Sequence, residues 1–193
     1  MSSYTRQQLE FWLKTIDVKA DRVLDIGGAQ NPIKGRTKSW EVGNYLIMDL
    51  VSPHEVKQEP DIRADIQGDI IGFEDNKVEL FDMAFCIEVL EYWWNPFRAF
   101  GNIAKMLKRN GILYVSSHFI YPVHNPVEFD YLRYTRQGII KLLNETGFKI
   151  LEIRPRLSTD NDLMAYYQSQ AMRPAKGYVG HEEVGHLIKA IKL

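Results

Sequence analysis

The chain has 193 residues, 45% hydrophobic and 25% charged, with 24 basic and 25 acidic side chains and a formal net charge of −1. These globular values exclude disordered and fibrous classes, and the near-neutral balance argues against a protein that coats nucleic acid. The length favours one domain, the single cysteine Cys86 excludes an internal disulfide or a cysteine-based zinc cluster, and no apolar run approaches the roughly 18 residues of a membrane span.

Met1 to Arg6 lacks the apolar run of a signal peptide, so a cytoplasmic location is expected. Thr5 to Ile16 reads as a helix, because Leu9, Trp12, Leu13 and Ile16 recur at helical spacing, with Thr5 and Gln8 resembling a capping box. After a polar break at 17–21, Arg22 to Ile26 runs into Gly27-Gly28, as a buried strand enters a tight turn. Residues 29–44 read mostly as loop, Tyr45 to Met48 as a second strand, Asp61 to Ile66 as a third and Leu80 to Ile87 as a fourth. Asn95-Pro96 caps a helix with Phe97, Phe100, Ile103, Ala104 and Leu107 on its apolar face, ended by Asn110-Gly111. Ile112 to Ser116 is a fifth strand. Thr135 caps a helix closed by Gly147, and Lys149 to Ile153 is a sixth strand. Asp162 to Met172 is one more candidate helix, and His186 to Leu193 a final strand.

Strands alternating with helices predict one α/β domain with a mainly parallel sheet and an antiparallel final strand at its edge. The expected division is an N-terminal helix over 1–20, a core over 21–153, an irregular insert over 154–182 and the final strand over 183–193.

In such sheets ligands bind beyond the carboxyl ends of the strands. Asp25, Gly27, Gly28 and Asn31 follow the first strand, and glycines let backbone approach a ligand closely. Asp49, with Leu50 beside it, follows the second strand and suits ribose hydroxyls. Asp65 and Ile66 follow the third and suit an adenine amine and ring; Asp69 lies near the same place. Cys86 and Glu88 follow the fourth. Together they outline a nucleoside-shaped ligand. The dinucleotide fingerprint G-x-G-x-x-G and the phosphate loop G-x-x-x-x-G-K-[ST] are both absent.

These residues resemble the class I S-adenosylmethionine-dependent methyltransferases, most of all their type 11 branch. The resemblance is carried by Val23 to Gly28, Asp49, Phe81 to Ala84 with Glu88 to Glu91, Asn95 to Gly111, and Thr135 to Phe148. Three stretches depart from the family's usual forms: Gly27-Gly28-Ala29-Gln30-Asn31 in the first motif, Leu90-Glu91-Tyr92, and Lys108-Arg109-Asn110-Gly111. The resemblance implies a single-domain Rossmann-like sandwich with seven strands and S-adenosylmethionine as cofactor. Asp25, Gly27 and Gly28 would hold its methionine end, Asp49 its ribose, and Asp65 with Ile66 its adenine, while Cys86 and Glu88 line the pocket. The cysteine reads better as a small buried residue than as a nucleophile.

Residues 116–135 hold two histidines, three tyrosines, an Asp, a Glu and an Arg beside the expected methyl group. His124 is the first candidate general base and His118 the second, since neutral imidazole accepts a proton near pH 7. Tyr121, Asp130, Arg133, Tyr134 and Trp93 are candidate substrate residues, although Asp130 and Arg133 also have the spacing of a simple helical-turn pair. Trp93 and Trp94 are adjacent and cannot easily both point inward. No metal-ligand spacing is evident. The expected activity is methyl transfer to an oxygen or nitrogen of a small molecule or glycan. A non-catalytic binding protein on the same fold is the alternative, and a nucleic-acid methyltransferase is less favoured. No membrane partner is expected, and a homodimer is a candidate arrangement for closing the site.

Overall fold

The structure, a computed structural model, describes residues 3–69, 80–123, 125–157 and 183–193. Its order is α1 (Tyr4–Leu13), β1 (Asp17–Ile26), β2 (Ser39–Asp49), β3 (Ile62–Arg63), β4 (Phe81–Cys86), α2 (Pro96–Met106), β5 (Leu107–His118), α3 (Arg136–Glu145), β6 (Phe148–Leu157) and β7 (Glu183–Lys192). The strands form one seven-stranded sheet in the order β3-β2-β1-β4-β5-β7-β6. All pairings are parallel except those of β7, which runs antiparallel to β5 and to β6.

The final strand is therefore not at the edge. It inserts between β5 and β6, where Val184, Leu187, Ile188 and Ala190 are buried. An apolar run of that kind is better covered between two neighbours than at a half-paired edge. The candidate helix at 162–172 lies outside the described residues.

Each helix has a local cause. Ser3, not Thr5, caps α1: its Oγ accepts the Arg6 N–H at 3.3 Å. Asn95 caps α2, its side chain accepting from Arg98 N–H at 3.1 Å, with Pro96 in the first turn where no N–H is missed. Thr135 Oγ1 accepts the Gly138 N–H at 3.1 Å to start α3, and Gly147 follows its end at φ 89°. Helix α2 stops at Met106, and Asn110, at φ 63°, belongs to β5, where the pairing with β4 slips by an irregularity.

Strands β1 and β2 are longer than hydrophobicity suggests. The polar stretch at 17–21 pairs residue by residue with Ser39 onward, Val18 and Ala20 carrying the inward alternation among charged neighbours. Strand parity then builds two cores. Leu24, Ile26, Ala84, Cys86, Leu113 and Val115 face α2 and α3. Val23, Phe85 and Tyr114 face α1, meeting Leu9, Trp12, Leu13 and Ile33.

Candidate functional site

A cleft of about 360 Å³ opens at the carboxyl ends of β1, β2 and β4. Of the residues expected from the sequence, Gly27, Asp49, Leu50, Asp65, Ile66, Glu88 and Trp93 line it together. Gly27 has φ 76°, and a Cβ there would lie 2.1 Å from Val89 Cγ1, so only glycine fits. Its N–H donates to Met48 O at 2.8 Å, and the Ala29 N–H donates to Asp49 Oδ2 at 3.0 Å. These two loop amides are thus engaged within the protein. Asp49 Oδ1 also accepts the Leu50 N–H at 2.8 Å. Each carboxylate oxygen keeps a second lone pair, so the group is aimed without being saturated.

Asp65 lies on the cleft wall with Ile66, braced by Gln67 N–H at 2.9 Å. Asp69 instead pairs with Arg98 in solvent. After β4, the tryptophans divide as their adjacency requires. Trp93 is 5% exposed and meets Phe100 edge-on, whereas Trp94 is 60% exposed at the cleft mouth.

Several expected residues lie behind the cleft wall. Asp25 projects to the α1 face, where its Oδ2 accepts both the Ile33 N–H (2.7 Å) and the Tyr45 hydroxyl (2.6 Å). Burial outweighs those hydrogen bonds and pushes its pKa up to about 6. Gly28 packs on that carboxylate: a Cβ would sit 2.5 Å from Asp25 Oδ2. Cys86 is buried, and burial raises its thiol pKa well above the ordinary value, which suits packing and not nucleophilic attack.

Glu88 lines the cleft in a left-handed conformation, φ 59°. Its Oε1 accepts from Arg156 Nη1 at 2.6 Å and from Ser116 Oγ at 2.8 Å; its Oε2 lies 3.4 Å from His118 Nε2 and 3.6 Å from Arg6 Nη1. Burial alone would raise its pKa; the His118 hydrogen bond and the Arg156 charge overcome that and hold the carboxyl well below the usual range. The cleft wall therefore carries a carboxylate that stays ionised. Arg156 comes from β6 and is 1% exposed; no pattern in the sequence distinguished it from a surface arginine.

His118 is also buried, with Nε2 3.5 Å from Glu91 Oε1 and its ring stacked on Tyr121 at 4.2 Å. It does not line the cleft. Tyr134 is core, its hydroxyl donating to Leu90 O at 3.0 Å. Asp130 accepts from both terminal nitrogens of Arg133, whose side chain also donates to the Pro122 carbonyl at 2.9 Å; the pair braces the 121–133 segment. His124 lies outside the described residues.

Sequence reading missed the roof. His54, in the loop after β2, lies tilted against Phe129 at 5.6 Å and Tyr92 at 6.2 Å, joining that loop to the segment after β5. Phe129, Tyr131 and Trp94 are exposed around the opening. Position after a strand end was the signal that could have found His54. Among the described residues, Asp49, Glu55, Asp65 and Glu88 line the cleft, and no Lys or Arg does.

Residues 47–115 match the family model described as a methyltransferase domain. No curated protein matches the sequence. Solved structures share the whole architecture at low identity. The N-methyltransferase NodS from Bradyrhizobium japonicum WM9, in complex with S-adenosyl-l-homocysteine, is 17% identical with a TM-score of 0.59, over 97% of this chain and 85% of that one. An S-adenosylmethionine-dependent methyltransferase from Mesorhizobium loti is 16% identical with a TM-score of 0.59, over 99% of each chain. A structure of the Haloferax volcanii Trm112 methyltransferase activator in complex with its partner gives 15% identity and a TM-score of 0.63, over 98% of this chain and 88% of that one. The fold is that of the class I S-adenosylmethionine-dependent methyltransferases.

Proposed function

We propose that this chain is an S-adenosylmethionine-dependent methyltransferase that methylates an oxygen or nitrogen nucleophile of a small molecule or glycan. The observation that carries the reading is the convergence of Gly27, Asp49, Asp65, Ile66 and Glu88, from four strand ends, on one cleft. The methyltransferase-domain match and the fold indicate S-adenosylmethionine as the cofactor. The wall supports that fit: a glycine whose Cβ would be blocked, two aimed carboxylates, an apolar slot beside Ile66, and an ionised Glu88.

When bound, the cofactor supplies an electrophilic sulfonium methyl. Asp49 would accept from the ribose hydroxyls, and Asp65 with Ile66 would hold the adenine amine and ring. Glu88, already paired with Arg156, would accept from the ammonium group of the zwitterionic amino-acid end, in a partly dehydrated site where charge counts for more than in water. Methyl transfer is an in-line displacement, so the acceptor must be held on axis, and a hydroxyl acceptor must lose its proton. In this reading His124 is the candidate base, and His118, lying behind Glu88, is a positioning residue. The aromatic rim at Trp94, Phe129 and Tyr131 receives the acceptor, and a second subunit closing that rim belongs to the same proposal. A lining of carboxylates without Lys or Arg, among the described residues, opposes a nucleic-acid substrate.

Calorimetric titration with S-adenosylmethionine and S-adenosylhomocysteine tests the reading. Micromolar binding is expected; no binding overturns it. The second reading, a binding protein without turnover, is favoured by one observation: the described segment 27–38 contains no helix, so β1 is not followed by a helix N-terminus at the glycine turn. Cofactor binding with no methyl transfer to any acceptor in a broad amine and alcohol panel would promote it.

A further inference from the structure

Since no helix follows β1, the ligand loop needs another support, and α1 supplies it. Arg36 lies at the centre. Its Nε and Nη2 donate to the two Glu10 oxygens at 3.2 and 2.7 Å, and its Nη1 donates to the Asn31 carbonyl at 2.9 Å. A guanidinium has a rigid fork that holds a carboxylate in a two-point grip with a donor to spare, which lysine lacks. The Arg36 side chain is 13% exposed and that of Glu10 38%, so the pair is half-buried and partly screened.

The same loop is tied at neighbouring points. Ile33 is fully buried in the α1 core, and its N–H donates to Asp25. Lys14 Nζ donates to the Gly35 carbonyl at 3.0 Å. From Asn31 the chain leads back to Ala29, whose N–H meets Asp49 and whose carbonyl accepts from Lys57 and Gln58 at 2.9 and 3.0 Å. Gln30 reaches Glu55 at 2.6 Å. One path of hydrogen bonds and backbone thus joins α1 to the carboxylate on the cleft wall.

We infer that Arg36, held by Glu10 of α1, is a positioning residue for the ligand loop, so that docking of the N-terminal helix and binding in the cleft are coupled. The inference rests on the proposed cofactor reading only for its binding arm. A loop already held in the bound geometry loses less freedom on binding, and release of the strut costs affinity.

The test uses the full chain with Arg36→Gln, Glu10→Gln and, as a control, Arg136→Gln, which breaks the Arg136–Glu183 pair at 2.9 Å elsewhere. Hydrogen exchange of the ligand-free protein is read first. Exchange at the Ala29, Lys57 and Gln58 amides should quicken about tenfold in the first two variants and not in the control. S-adenosylhomocysteine binding should weaken by about tenfold in Arg36→Gln and less in Glu10→Gln, with the control unchanged. Unaltered exchange at those amides overturns the inference whatever the ligand. Faster exchange with unaltered affinity overturns the coupling. If the unmodified chain binds no S-adenosylhomocysteine, the cofactor reading fails and the coupling with it, while the exchange arm still decides whether Arg36 holds the loop.

Discussion

Tyr45 donates its hydroxyl to Asp25 at 2.6 Å, and the Ile33 N–H reaches the same oxygen at 2.7 Å. Two donors converging on one oxygen let an asparagine amide oxygen replace it. Burial pushes the Asp25 pKa up to about 6, above its unfolded value near 3.9. The folded state therefore holds the proton more tightly. The contribution is complete below about pH 4 and is lost as pH rises through about 6. Asp25→Asn should match the parent near pH 4 and gain on it by on the order of 3 kcal/mol above pH 7. Urea melts of both proteins across pH 4–8 check this; a constant difference would show that Asp25 does not titrate there.

Gly27→Ala places a methyl 2.1 Å from Val89 Cγ1 at a φ of 76° that side chains rarely adopt. Strain and overpacking together should cost about 2–4 kcal/mol and remove measurable binding of S-adenosylhomocysteine. Thermal melts and calorimetry read the two effects separately.

Asp49→Ala deletes both the proposed ribose acceptor and the anchor of the Ala29 and Leu50 amides. Cofactor affinity should fall at least tenfold, about 1.4 kcal/mol. An unchanged titration would remove Asp49 from the binding set.

Arg156→Met leaves Glu88 with a buried charge and one fewer cationic partner. Breaking such a pair from one side costs about 3 kcal/mol, because the carboxylate stays out of water and keeps only Ser116 and the more distant His118 and Arg6. Since Arg156 also donates to the Thr5 carbonyl, α1 should loosen at the same time. Denaturant midpoints and amide exchange over residues 4–13 measure both.

Trp93→Ala and Trp94→Ala should differ sharply. The buried ring of Trp93 meets Phe100 at 5.3 Å, and its loss should cost about 3–5 kcal/mol. Trp94, mostly in solvent, should change stability by less than about 0.5 kcal/mol and act only on acceptor binding. Equal thermal shifts for the pair would contradict this division.

Much of the fold was legible because its causes are local. Asn95-Pro96 and Thr135 announced their helices through N–H groups that their side chains satisfy within one turn. The carboxylates Asp49, Asp65 and Glu88 were legible as strand-end residues. The true starts of β1 and β2 were not, since Asp17, Lys19 and Glu41 hide an alternation that only pairing between distant strands reveals. Nor could Arg156 be read as buried: its partner Glu88 lies 68 residues away.

By itself the sequence determined the α/β class, α1 on its apolar face, α2 and α3 on their caps, and the ordered set of acidic residues following successive strands, because period and capping act over a few residues. Only the tertiary structure decided that β7 runs between β5 and β6, that Asp25 faces α1 and not the cleft, and that His118 sits behind Glu88. Strand order and side-chain surroundings depend on burying whole faces formed by residues far apart in the chain, and that free energy belongs to the assembled sheet and not to any local stretch.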